Sequence, residues 1–302
     1  MSTTQRLTRE LKVLSSVLAN RLTANPWQEK MDRALVEMVS GVLPSGPATE
    51  SPAGEPQLSN VAETLAERVR NEGVILFSAA ITGPLLDALR EEFQQMIKTS
   101  DNSPYIVDRH DGAICVRIDP RPSLDKKAYP ATNAFFDSYV FRAIARSFYQ
   151  TESQGFNFNS TVFVHETPET TRPLSGKLHW DRVQALKFWI YIDDVPMEAG
   201  PMRIQPGTTV SNKSERIEKR RQVEALEGGK DNVVATDPEE LRYLAGPAGT
   251  VLIHDTDCSH GASPVASGQF RRIMRGHCRA AQPTRSTALR RLFLNPQRFY
   301  RC

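Results

Sequence analysis

The chain has 302 residues, of which 39% are hydrophobic and 24% are charged, a balance typical of globular proteins. Its net charge of +3 is too small at this length to indicate a nucleic-acid-binding surface. From this small charge we expect no nucleic-acid partner. The most apolar run, GVILFSAAITGPLLDAL, is interrupted by polar residues and by a Gly-Pro pair, so we also expect no membrane span.

The N-terminal sequence MSTTQRLTRELKV lacks a basic region followed by an apolar region, so we expect no secretory signal. The four cysteines, Cys115, Cys258, Cys278 and Cys302, form no C-x-x-C pair. We therefore expect reduced, buried thiols in a cytoplasmic protein.

Residues 1–60 are predicted to form a helical N-terminal extension and linker. Hydrophobic residues recur at helical spacing over 5–43, and residues 44–58 are rich in Pro, Gly and Ser. The helices of 5–43 could pack either on the same chain or on a second subunit. Packing on a second subunit would form a homodimer.

Residues 61–302 are predicted to form one α+β domain. Two helices, from Ser59 or Asn60 to Val69 and from Thr82 to about Ile97, flank a strand at 74–77. Further short strands are predicted at 112–118, 156–165, 185–193, 201–205, 249–254 and 271–278. Many short strands after helices favour a double-stranded β-helix (a cupin-like jelly roll) with helices packed outside. A charged insertion at 211–243 is either a solvated face or a lid.

The segment KLHWDRVQALKFWIYI carries the first chemical signal. In an extended backbone His179 and Asp181 are two residues apart and point to the same face. His260, in TVLIHDTDCSHGAS, is the best third ligand, and His254 is its rival. Two histidines and one carboxylate on one face are typical of non-haem Fe(II) oxygenases, which leave metal positions open for a co-substrate and O2.

An arginine follows this third ligand at a distance of eleven residues. Arg271, or its neighbour Arg272, would begin a strand that returns past the metal. A guanidinium there could bind a carboxylate bidentately, which suits a 2-oxo diacid that chelates iron with its keto acid end.

The sequence resembles the phytanoyl-CoA dioxygenase family of Fe(II)/2-oxoglutarate oxygenases over roughly residues 61–282. The resemblance lies in VRNEGVILFSAAITGPLLDALREEF, KLHWD, KFWIYIDDVPMEAGPMRIQPGT and GTVLIHDTDCSHGASPVASGQFRR. It implies a jelly-roll fold, with Fe(II), 2-oxoglutarate and O2 as cofactor and co-substrates.

The resemblance also implies roles for individual residues. It places the iron ligands at His179, Asp181 and His260, and it places 2-oxoglutarate contacts at Arg271, Trp189 and Arg117. Related halogenases carry Gly or Ala in place of the carboxylate, so Asp181 favours oxygenation. Two positions depart from the family pattern, where Thr209 follows Pro-Gly-Thr and Ala262 lies two residues after His260.

We therefore expect a dioxygenase that hydroxylates an unactivated C–H bond of a small molecule, in secondary or specialised metabolism, with release of succinate and CO2. Desaturation, ring closure or demethylation would differ only in the fate of the substrate radical. The alternatives are a zinc hydrolase using the same three ligands, a non-catalytic jelly-roll binding module, and an oxygenase acting on a protein side chain.

Strand alternation yields candidate substrate contacts. Lys187 and Tyr191 share the face of Trp189, and Arg275 and His277 share the face of Arg271. Several inward cations would suit an anionic or polar small molecule, unless acidic side chains pair with them.

Overall fold

The structure is a computed structural model of the chain. It describes residues 25–41, 55–99, 106–110, 113–118, 124–150, 156–168, 177–181, 183–223, 232–233 and 240–280. The helices predicted within residues 5–24, the Pro-rich part of the linker before residue 55, and Cys302 lie outside these ranges.

Helices and short strands follow one another along the described chain. The helices are α1 (Gln28–Ser40), α2 (Glu55–Glu72), α3 (Gly83–Lys98), α4 (Pro130–Phe136), α5 (Tyr139–Tyr149) and α6 (Thr209–Val223). The strands are β1 (Val74–Phe77), β2 (Ile106–His110), β3 (Ala113–Ile118), β4 (Phe156–Thr167), β5 (His179–Trp180), β6 (Leu186–Tyr191), β7 (Met202–Gln205), β8 (Asn232–Val233), β9 (Arg242–Tyr243), β10 (Val251–Asp255), β11 (Ser259–Ala262) and β12 (Arg271–Ala280).

The strands form two sheets in which every neighbouring pair is antiparallel. The larger sheet has the order β1-β10-β6-β12-β4-β3-β2, and the smaller has the order β8-β5-β11-β7-β9. Strands distant in sequence are therefore neighbours, and the predicted jelly-roll class of α+β fold is confirmed.

Strand β6 shows how the large sheet separates two interiors. Phe188 and Ile190 face the helices and belong to the larger core, where Phe188 stacks on Phe141 of α5 at a centroid distance of 4.5 Å. The alternate residues Trp189 and Tyr191 belong to a second core between the sheets. A chemically active site can therefore lie inside the barrel while the helices stabilise its outer face.

The N-terminal helix α1 packs on the same chain. Met31, Leu35 and Val39 lie on one face of it and are buried in the larger core. Ser138, the N-cap of α5, donates its hydroxyl to Asp32 over 2.6 Å and accepts from the Val140 amide. The division of the chain at residue 60 stays a prediction.

Some elements differ from the predicted ones. Helix α2 begins at Glu55 and so includes residues that the sequence favoured as linker. The predicted insertion at 211–243 contains most of helix α6, and its strands β8 and β9 form the two edges of the small sheet. Two-residue strands carry too little periodicity to be recognised from sequence.

Two further expectations can be compared with the described residues. Cys115, Cys258 and Cys278 are buried and belong to no disulfide, as predicted. None of the helices in the described ranges has the length and apolar character needed to cross a bilayer.

Candidate metal centre

Two of the predicted ligands lie directly opposite each other across the small sheet. His179 on β5 pairs with His260 on β11 in antiparallel register, and cross-strand partners project to the same side of a sheet. Their imidazole centroids are 4.6 Å apart. A separation of 81 residues in the chain is thus closed by a single strand pairing.

Backbone carbonyls fix the tautomer of both rings. His179 donates from Nδ1 to the Lys177 carbonyl over 2.7 Å, and His260 donates from Nδ1 to the Cys258 carbonyl over 2.9 Å. Because a carbonyl only accepts, both Nδ1 atoms carry the hydrogen. In the neutral form of each ring, Nε2 then has the free lone pair, which is the arrangement that metal-binding histidines require.

Asp181 completes the group. Its backbone amide donates to the Thr256 carbonyl over 3.0 Å, which fixes the residues after β5 against the turn between β10 and β11. Its Oδ1 lies 3.8 Å from Nε2 of His179 and 3.5 Å from Nε2 of His260. One ligand atom from each of the three residues lies within 4.8 Å of the other two.

The second oxygen of Asp181 is held by a buried lysine. Nζ of Lys187, on β6, lies 2.9 Å from Oδ2 of Asp181. Burial alone would raise the pKa of Asp181, but Lys187, His179 and Arg275 together lower it. Burial lowers the pKa of Lys187 to about 8, against the opposing effect of Asp181. Sequence reasoning assigned Lys187 to substrate and did not find this ion pair.

The rival ligand, His254, lies behind the centre. It is on β10, fully buried, and its ring meets that of His260 edge-on at a centroid distance of 4.4 Å. It is not among the residues whose ligand atoms converge in the described chain. Neither ring nitrogen has a hydrogen-bond partner there.

Of the two candidate arginines, Arg271 points into the barrel. Its guanidinium is buried, Nη1 donates to the Gly200 carbonyl, and Nε has no partner in the described ranges. Burial lowers the pKa of Arg271 to about 10, so the group is charged at neutral pH. Arg272 points outward and forms an ion pair with Asp193, in which Nη2 and Oδ1 are 2.9 Å apart.

The other predicted contacts lie on the interior side of the large sheet. Trp189 is buried, and its Nε1 has no partner within the described chain. Tyr191 is also buried and donates its hydroxyl to the Leu244 carbonyl over 2.7 Å. Arg117 on β3 is buried and lies in register with Phe163 of β4.

Arg275 lies between two aromatic rings. Its guanidinium carbon is 4.5 Å from the ring centroid of Phe163 and 5.2 Å from that of Trp189. Its Nε donates to Nε2 of His165 over 3.0 Å. Sequence reasoning missed Phe163 and His165, although their spacing of two residues on β4 places them on one face.

The donor set fits a divalent transition metal, and the barrel interior also holds buried donors without an acceptor in the described ranges. Two neutral imidazoles and one carboxylate oxygen leave coordination positions for other ligands. The unpaired Nε of Arg271 and Nε1 of Trp189 are buried donors that lack an acceptor in the described ranges. Buried donors of this kind are costly unless a ligand supplies the acceptor.

Comparison with known proteins identifies the family. The family profile of phytanoyl-CoA dioxygenases (PhyH) matches residues 70–273, which is more than half of the chain. No curated protein matches the sequence.

Solved structures with a similar fold include the epimerase SnoN. Its complex with Fe3+, alpha ketoglutarate and nogalamycin RO has a TM-score of 0.52 and 15% identity, over 78% of this chain and 90% of that one. A second SnoN structure, described as a non-heme alpha ketoglutarate dependent epimerase from nogalamycin biosynthesis, has a TM-score of 0.51 and 15% identity, over 78% and 87% of the chains. EctD from S. alaskensis with bound Fe has a TM-score of 0.48 and 13% identity, over 79% and 81%.

At these identities the SnoN structures show the fold, whereas the profile shows the family. The profile spans all four residues on which the sequence prediction depended: His179, Asp181, His260 and Arg271. The chain therefore belongs to the phytanoyl-CoA dioxygenase family of non-haem iron, 2-oxoglutarate-dependent oxygenases, and the family predicted from its sequence motifs is confirmed.

Proposed function

We propose that this oxygenase hydroxylates an unactivated C–H bond of a small molecule and converts 2-oxoglutarate to succinate and CO2. The observation that carries the proposal is the convergence of His179, Asp181 and His260, in which Nε2 of both histidines lies within 3.8 Å of one carboxylate oxygen. These three residues would hold Fe(II). Bound iron would supply the activation of O2, which no side chain provides.

The protein's own residues position the reactants. Arg271 would bind the distal carboxylate of 2-oxoglutarate, whereas Trp189, which lies opposite Arg275 in the register, and Arg117 would contact other parts of the co-substrate from the interior face. Lys187 holds Oδ2 of Asp181, so Oδ1 is left for the metal. Apolar side chains such as Val74, Leu252 and Ile273 fill the second core between the sheets and exclude water from that end of the barrel.

A zinc hydrolase could use the same three ligands, but it would have no use for a buried arginine that lacks a carboxylate partner. The described residues provide no such partner for Arg271. An oxoacid co-substrate provides one, and this favours iron chemistry over hydrolysis and over a non-catalytic binding module.

The finer expectations about biological setting belong to the same proposal. We place the enzyme in secondary or specialised metabolism in the cytoplasm, consistent with reduced thiols at the described cysteines. SnoN is a 2-oxoglutarate-dependent epimerase of nogalamycin biosynthesis, so the same scaffold also serves outcomes other than hydroxylation. A homodimer through the N-terminal helices would have to use surfaces other than the buried face of α1.

The test is a succinate-release screen of the Fe(II)-loaded enzyme with a small-molecule panel, with and without O2. We expect Asp181→Ala to abolish iron binding and succinate release, because only two neutral ligands remain. Asp87→Ala, which removes an exposed aspartate on α3, should leave both intact. Isotopically labelled O2 should enter the hydroxylated product.

Two results would contradict the proposal. Zinc-dependent turnover that ignores removal of 2-oxoglutarate would indicate a hydrolase. Small-molecule binding that survives His179→Ala, without succinate from any compound, would indicate a binding module.

A further inference from the structure

Strand β12 directs a second group of hydrogen-bond donors into the barrel, beyond Arg271. Arg275 and His277 follow it on the same face. In the register of the large sheet, Arg275 lies opposite Trp189 and His277 lies opposite Lys187, the residue that holds Asp181. This second group therefore lies on the strand next to β6, which carries Lys187.

The guanidinium of Arg275 forms no salt bridge with a carboxylate of the described residues, although the Asp181 carboxylate feels its charge. Phe163 and Trp189 cover its two faces, and its Nε is bonded to His165. The acceptor in that bond, Nε2 of His165, is neutral because it receives a hydrogen from the arginine. These contacts fix the plane of the guanidinium and leave its two terminal nitrogens, which point away from Nε, for another acceptor.

His277 adds a second donor beside it. Nη2 of Arg279 lies 3.3 Å from Nδ1 of His277. A guanidinium only donates, so Nδ1 accepts and Nε2 carries the hydrogen. The imidazole is 4% exposed, and Nε2 has no partner within the described ranges. Its ring lies 4.8 Å from that of Phe163, the same ring that covers Arg275.

The proposed co-substrate does not use these donors for its distal carboxylate. Arg275 is four residues from Arg271, so their backbone positions are roughly 13 Å apart along an extended strand. Arg275 is partly buried and lacks a salt bridge, and the buried N–H of His277 beside it lacks an acceptor within the described ranges. A buried donor of this kind costs free energy unless a ligand such as an anion binds there. Fixed guanidinium edges bind carboxylates and phosphates bidentately.

We propose that Arg275 and His277 form a substrate subsite that binds an oxyanion, a carboxylate or phosphate, of the molecule to be oxidised. The assignment of the bound anion as a substrate rests on the proposed function, whereas anion binding itself does not require turnover. It defines the substrate class as small anions whose reactive C–H group lies between this subsite and the metal.

The experiment measures the binding of anion probes and the binding of 2-oxoglutarate separately. Acetate and inorganic phosphate serve as probes and are titrated calorimetrically into the metal-free protein and into the anaerobic Fe(II)–2-oxoglutarate complex. 2-Oxoglutarate binding is followed by the visible charge-transfer absorption that appears when it chelates ferrous iron. The variants are Arg275→Gln, Arg275→Lys and Arg271→Gln, with Arg272→Gln as the outward-facing control.

We expect Arg275→Gln to weaken binding of at least one probe by about 10- to 100-fold, the loss typical of a charged hydrogen bond. Arg275→Lys, which keeps the charge without the planar edge, should lie between wild type and Arg275→Gln. Arg271→Gln should instead weaken 2-oxoglutarate binding, and Arg272→Gln should change neither. Among substrate candidates, a carboxylate should stimulate succinate release more than its matched carboxamide.

Three outcomes would overturn the subsite. They are the absence of probe binding to wild type, equal probe binding by wild type and the two Arg275 variants, and loss of 2-oxoglutarate affinity in those variants. The last result would assign Arg275 to the co-substrate. A wild-type protein that binds the probes but neither iron nor 2-oxoglutarate would refute the proposed function and leave the subsite standing. If Arg275→Gln does not fold, the comparison rests on Arg275→Lys.

Discussion

Each oxygen of Asp181 has its own neighbours. Oδ1 faces the two imidazoles, whereas Oδ2 is bound by Lys187. A carboxylate with both oxygens fixed does not rotate, so its metal-facing oxygen is already in place. Lys187 is thus a positioning residue for the metal centre, although the sequence favoured a role toward substrate.

We predict that Lys187→Met lowers iron affinity by about 10- to 100-fold, the usual effect of losing a partner behind a metal ligand. Equilibrium dialysis against Fe(II) under anaerobic conditions measures it. Lys126→Met, at an exposed lysine, is the matched control. Unchanged iron affinity together with a raised KM for substrate would instead return Lys187 to the substrate role.

Spacing along one strand was the informative signal at this scale. Alternation predicted that His179 and Asp181 converge, and it left either Arg271 or Arg272 to face inward. It could not find the partner of Lys187 or the aromatic rings around Arg275, because these contacts join β6 to the segment after β5 and β12 to β4. Contacts between strands depend on register, which a single sequence does not reveal.

At the scale of the elements, the backbone at Gly249, before β10, packs closely against the backbone at Ile81, before α3. Gly249, just before β10, has a φ of +76°, and a Cβ built there would lie 1.8 Å from the Ile81 carbonyl oxygen. The Ile81 amide in turn donates to the Gly249 carbonyl over 3.1 Å. Only glycine allows the backbone before α3 to approach the start of β10 so closely.

We predict that Gly249→Ala lowers the free energy of unfolding by about 3 kcal/mol or more, because backbone strain and a clash with a main-chain oxygen combine. Gly268→Ala is a matched control, since Gly268 has the same φ of +76° with nothing within 4 Å of the added Cβ. It should cost only about 1–2 kcal/mol, the penalty of the left-handed conformation. Equal losses in urea unfolding would show that the contact with Ile81 is unimportant.

Element type was more predictable than element boundaries. VILF at 74–77 and the helix after Thr82 were predicted closely, because turn residues and apolar runs delimit them. β2, α4 and α5 were not predicted. The sequence PATNAFF of α4 is too short to show a helical period. Helix α5 has an N-cap, Ser138, and apolar residues at helical spacing, so its sequence did carry a signal that was missed.

At the scale of the whole molecule, α1 shares the main hydrophobic core with the helices that cover the large sheet. Leu35 is fully buried there. Helix α1 therefore has no separate hydrophobic core, although the sequence predicted that residues 1–60 form an extension to the main domain. Its apolar periodicity predicted the helix but could not show which surface buries it.

We predict that Leu35→Ala destabilises the entire protein by about 2–5 kcal/mol and shifts a single cooperative unfolding transition. Glu37→Ala, at an exposed position of the same helix, should have little effect. Circular dichroism and intrinsic fluorescence should report coincident transitions in both variants. If the barrel transition stayed fixed while a smaller early transition moved, the N-terminal segment would be an independent extension.

The alternation of β12 has an implication for changes in substrate preference. The strand places Arg271 and Arg275 toward the interior and places Met274 and Cys278 in the core under the helices. Arg275 therefore lies on the opposite face of the strand from that core packing. If Arg271 binds the keto acid and Arg275 binds the compound to be oxidised, as proposed, the two specificities reside at separate positions of one strand, so that a change at Arg275 alters substrate preference while the dependence on 2-oxoglutarate is retained.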